Sequence, residues 1–138
     1  MVTKTITYKD FNENTRTETY YFHLTEAEAL ELSTRPGFKE ATESLKKTVE
    51  NATSSDGTID KTKLLVATPE IVSLLREVIY MSYGEKSDDG RNFIKMRNGQ
   101  RLADEFITTQ AYSDLFMELL SNDISASEFM NHVMPQKN

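Results

Sequence analysis

An α+β fold, mostly helical, with an N-terminal β-hairpin packed on a bundle of five or six short helices, is predicted by three features of the 138-residue chain. Apolar residues alternate with period two as far as Leu24, recur every three to four residues from Thr25 onward, and cover about half the helical circumference after Pro69. One domain over residues 1–138 suits this size, since two would each be marginal.

The hairpin is placed from about Lys4 to Leu24. Ile6 and Tyr8 alternate with Thr5 and Thr7, and Tyr20, Phe22 and Leu24 with Thr19, Tyr21 and His23. Asp and Asn in DFNENT favour the turn between them, which aims Ile6, Tyr8, Tyr20, Phe22 and Leu24 inward. A lone hairpin is unstable in water, so helices must cover it.

Thr25 and Glu28 form a capping box that starts a helix running to about Ser33, and Arg35-Pro36-Gly37 ends it. Phe38, Ala41, Leu45, Val49 and Ala52 then make a thin apolar stripe on a charged helix. The Ser/Thr/Asp-rich stretch around Asp56-Gly57 reads as a loop, and 36–68 as a variable, mobile excursion with first proteolytic cuts between Thr53 and Lys63. Pro69 to Tyr83 is the central helix, with Thr68 as N-cap, Gly84 as a left-handed stop, and Leu75 and Val78 at the middle of its arc. After the polar loop GEKSDDGRN, helical patterns run from about Gln100 to Thr108 and from Gln110 to Asn122. A hairpin at Asn98-Gly99 is the rival to the first of these starts. The last helix is expected from Ser125, capped with Glu128, with Ile124 stapled on Phe129 and Pro135 closing it.

A net charge of -6 opposes phosphate backbones and anionic lipid, so neither nucleic acid nor membrane is an expected partner. Zero cysteines exclude disulfides and thiolate chemistry. The opening MVTKTITYKDF lacks the apolar core of a signal peptide, which places the protein in the cytoplasm. Only His23 and His132 could serve as imidazole bases, and no G-x-S-x-G elbow accompanies them. His23 is read as a surface histidine and His132 as one at an apolar border. The loop from Glu85 fails as a calcium loop because Met96 stands where a bidentate glutamate is needed. No enzyme activity, catalytic residue, cofactor or metal is therefore expected. The run Arg91, Lys95, Arg97 and Arg101 is read as an internal or intersubunit electrostatic partner for the acidic stretch from Leu102 onward, in preference to a phosphate contact.

Soft apolar residues gather toward the end of the chain. Phe129 and Val133 lie on one helical line and Met130 and Met134 on the next, so one line can face the core and the other a partner. With Met117 from the preceding helix, these five are the candidate partner-binding residues.

The segments KTITYKDFNENTRTETYYFHLTEAEALEL, REVIYMSYGEKSDDGRNFIK and FITTQAYSDLFMELLSNDISASEFMNHVMP resemble the tail assembly chaperones of long flexible-tailed, siphovirus-type phages and prophages of Gram-positive bacteria. The resemblance covers nearly the whole chain outside 36–68. It implies a protein of the host cytoplasm, absent from the mature virion, that binds the tape measure protein and keeps it soluble while the tail tube polymerises. It implies a second partner, tail tube protein, met through a longer frameshifted form, and leaves a homo-oligomer open. The alternative is a virion component such as a head-tail connector or tail terminator.

Overall fold

The computed structural model describes residues 1–52, 69–120 and 123–134. Two antiparallel strands, β1 (Val2–Lys9) and β2 (Thr15–Phe22), open the chain. They pair with Val2 opposite Phe22 and Ile6 opposite Glu18. The pleat puts Ile6, Tyr8, Tyr20 and Phe22 on one face, and Leu24 follows them into the core. Asp10 organises the turn, its Oδ1 accepting from the backbone N–H groups of Asn12 and Asn14. On the outer face the Thr5 and Thr19 hydroxyls pair at 3.1 Å, and those of Thr7 and Thr17 at 3.0 Å.

The helices are α1 (Glu26–Ser33), α2 (Phe38–Ala52), α3 (Pro69–Ser82), α4 (Leu102–Phe106), α5 (Gln110–Leu120) and α6 (Asp123–Val133). The expected fold class is found. At α1 the Thr25 hydroxyl accepts from the Glu28 N–H while a Glu28 carboxylate oxygen accepts from the Thr25 N–H, closing the capping box. Gly37, at φ 85°, turns the chain into α2. Of the α2 stripe, Ala41 is buried and Phe38 packs on the core; the side chains of Leu45, Val49 and Ala52 lie outside the described residues, as do Thr68 and the rest of 53–68. The helix α3 begins at Pro69 and buries Ile71, Leu74, Leu75, Val78 and Ile79, with Leu75 and Val78 fully covered.

Four expectations are corrected. First, the sheet has four strands in the order β1-β2-β3-β4 rather than two. The added strands, β3 (Tyr83–Lys86) and β4 (Phe93–Ile94), are too short to show a period. Second, Gly84 lies inside β3 and is not among the residues of positive φ. It is needed for closeness: a Cβ there would stand 2.5 Å from the Phe93 ring and 2.7 Å from the Ile94 carbonyl oxygen. Third, Asn98-Gly99 forms a hairpin between β5 (Met96–Arg97) and β6 (Gln100–Arg101), with φ of 55° and 76° at the turn, so α4 starts only at Leu102. Fourth, α6 begins at Asp123, which places Ser125 within the helix and not at its N-cap; the side chains of Ile124 and Ser125 lie outside the described residues.

The core is an aromatic cluster under the sheet. Phe22 meets Phe106 and Phe129 edge-on at 5.8 and 5.4 Å, and Phe106 stacks on Tyr83 at 4.3 Å. Two backbone bonds close the ends of the fold, from His23 N–H to the Ser82 carbonyl and from Leu24 N–H to the Val133 carbonyl.

Candidate functional site

The five candidate partner-binding residues fall into two groups. Phe129 and Val133 are buried at 4% and 0% exposure, as expected of the inward line, but Met130 is buried as well, at 7%. The outward orientation expected of Met130 is therefore corrected. Helix α6 lies across α2, α5 and the start of β1, so both of its apolar lines are covered at this level. Only near its end is Met134 half-buried. Met117, on α5, is 59% exposed.

Helix α5 presents more apolar surface than the core uses. Residues four apart on a helix stack in lines, and α5 has four of them. Ala111, Leu115 and Leu119 are fully buried. Tyr112, Phe116 and Leu120 pack on the core but stay partly exposed, the two rings 5.8 Å apart. Ser113 and Met117, the next line round, are exposed. The fourth line holds Gln110, Asp114 and Glu118; Gln110 donates to Asp114 at 3.0 Å, and Lys4 of β1 pairs with Glu118 at 3.2 Å. This breadth was legible as Tyr112, Phe116 and Leu120 in the sequence, but their exposure was not.

Three cations of the basic run, Lys95, Arg97 and Arg101, are engaged within the fold, and not by the acids expected. Lys95 reaches both Glu28 oxygens and the His23 carbonyl, each at 2.7 Å. Arg97 pairs with Glu85 at 2.8 Å. Arg101 donates to the carbonyls of Tyr80 and Met81 at the end of α3, lies over the Tyr80 ring, and thereby caps that helix electrostatically. The reading of these three cations as internal partners of the acidic stretch from Leu102 is thus corrected: short local β-hairpins deliver them to α1, β3 and α3 instead.

His23 is not an ordinary surface residue either. Its ring stands edge-on to Phe93 at 5.9 Å, and its Nδ1 is buried without a hydrogen-bond partner among the described residues. Burial, then the nearby N-terminal amino group and Lys95, hold its pKa below the ordinary value, so the ring is neutral. Burial by itself would raise the Glu28 carboxyl, but hydrogen bonds from Lys95 and Thr25 outweigh it and hold the group below the usual range. Burial also draws Lys95 down. His132 is exposed, its Nδ1 2.8 Å from the Glu128 carbonyl oxygen.

Elsewhere the shifts run away from neutrality. Glu18 accepts from the hydroxyls of Tyr8 and Tyr20, which holds its carboxyl low, while burial pushes Tyr83 up to about 12. General acid–base work wants groups near the operating pH, the opposite arrangement. In the loop of 87–92, Asp89 accepts from the Ser87 hydroxyl and the Arg91 N–H, a self-contained turn. Among the described residues no group of three His, Asp or Glu is placed to hold a metal ion, and no helix is long and apolar enough to cross a membrane. A groove of about 500 Å³ runs between the α1–α2 turn and α3, floored by Leu32, Phe38 and Leu74, with the Arg35–Glu77 ion pair at its rim. Helix α5 adds exposed and half-covered apolar area to the surface, at Met117 and at Tyr112, Phe116 and Leu120.

Compared with known proteins, residues 1–137 match the family model described as phage tail assembly chaperone. No curated protein and no solved structure matches the chain.

Proposed function

The chain belongs to the phage tail assembly chaperones, and from that membership we propose that it binds the tape measure protein, keeps this long helical client soluble, and yields it as tail tube subunits polymerise around it. The observation that carries the proposal is the family match over residues 1–137. On this reading the protein works in the host cytoplasm without enzymatic chemistry and is absent from the mature virion. The tail is of the long flexible, siphovirus type in a phage or prophage of Gram-positive bacteria. Tail tube protein is recruited by a longer frameshifted form. The acidic, cysteine-free surface supports the reading, since net charge keeps a protein soluble beside an aggregation-prone partner.

The test is co-expression with the tape measure protein, followed by analysis of purified particles. The chaperone reading expects the client to become soluble and to co-purify with this chain, and expects mature particles to lack it. A chain retained in the particles would instead make it a virion component such as a connector or terminator.

A further inference from the structure

We propose that the docking surface for the client is the outer side of α5, built from Tyr112, Phe116, Leu120 and Met117, and that it takes an amphipathic helix whose polar edge carries lysine or arginine. The inference rests on the client reading above and deepens it by naming the surface and the chemistry of the segment bound.

The four lines of α5 decide the matter. A helix laid along the exposed Ser113–Met117 line meets the half-covered Tyr112, Phe116 and Leu120 on one side, and Asp114 and Glu118 on the other. The apolar side asks for apolar side chains at helical spacing, and on the acidic side, where Lys4 already pairs with Glu118, the exposed Asp114 asks for a cation. Met117 adapts to varied neighbours, as a surface serving many segments of one long client requires. Charge also argues against a second copy of this chain as the occupant. Antiparallel self-pairing about Met117 sets the Asp114–Glu118 line against itself, and parallel pairing sets it against the apolar line. Three helical turns give a small contact, of the size of transient interfaces, and a holding chaperone must let go.

The experiment co-expresses the full chain with the tape measure protein, using Met117→Ser and Asp114→Lys variants. Both positions are exposed, so the thermal transition should stay within about 2 °C of wild type. Each variant is expected to lower the soluble, co-purifying client by about fivefold or more, the effect of losing a contact worth over 1 kcal/mol. Raising salt should weaken the wild-type complex, because the acidic edge is solvent-exposed. If wild type and both variants hold the client equally, the surface lies elsewhere and the client reading stands. If wild type itself fails to hold the client, that reading falls and this inference with it. Should a variant unfold, the salt series on the wild-type complex decides, and a salt-independent complex overturns the proposal. A wild-type dimer that Met117→Ser dissociates would also overturn it, by showing a second copy on this face.

Discussion

Gly84 and His23 show how single side chains constrain the sheet's inner end. At Gly84 any Cβ would collide with the Phe93 ring, which can swing, and with the Ile94 carbonyl, which cannot move without breaking the β3–β4 pair. Gly84→Ala should therefore destabilise by about 1–3 kcal/mol, read as a lowered denaturant midpoint; a wild-type midpoint would mean the strands separate freely. His23 bears on acid stability. Its folded pKa lies below the ordinary 6.5, held there by burial, the N-terminal amino group and Lys95 and opposed by Glu28. The unfolded chain then takes up the proton first, so this part of the stability is complete above about pH 6.5 and is lost as pH falls through the folded value. Denaturant midpoints at pH 7 and 5.5 should differ more for wild type than for His23→Phe. Equal losses would show that another group sets this limb.

At the scale of elements, α1 is held by a contact its own sequence does not contain. Glu28 closes the capping box and also receives Lys95 from the β4–β5 junction, with Glu28 23% and Lys95 13% exposed at the side chain. The two roles share one carboxylate, so they should couple. A double-mutant cycle with Glu28→Gln and Lys95→Met should give an interaction energy above about 1 kcal/mol. Additive losses would reduce Lys95 to a bystander packed on Phe93. On the pH axis Glu28, held below the ordinary 4.5, adds stability that is complete above that value and lost on further acidification. That limb begins at a lower pH than the one set by His23, which starts at about 6.5.

For the whole molecule, α6 is the closing element. Its Phe129 packs edge-on to Phe22, and the Val133 carbonyl receives the Leu24 N–H, so the last helix seals the hairpin at the start of the chain. Met130 belongs to that seal and Met117 does not. Met130→Ser should lower stability by about 2–5 kcal/mol, the range for truncating a buried methionine, whereas Met117→Ser should change it by less than about 0.5 kcal/mol. Thermal denaturation of the two variants side by side reads this directly, and comparable losses would mean the assignment of inner and outer methionines is wrong.

What the sequence determined by itself is what neighbouring residues can settle. The inward set of β1 and β2, the capping box at Thr25, the breadth of α3 and the burial of Leu75 and Val78 all rest on residues within a few positions of one another. Periodicity and capping report such local facts, and the resemblance carried by the same segments pointed to the family. Tertiary structure decided the rest. The strands β3 and β4, of four and two residues, exist because β2 offers them an edge and Gly84 lets Phe93 approach. The partners of Lys95, Arg97 and Arg101 were set by where the hairpins delivered them, because a charge run specifies its sign but not its neighbours. The choice between Met130 and Met117 as inner or outer depends on how far a helix turns about its axis when it docks. Helical spacing groups side chains into lines, but only the packed neighbours decide which lines are covered.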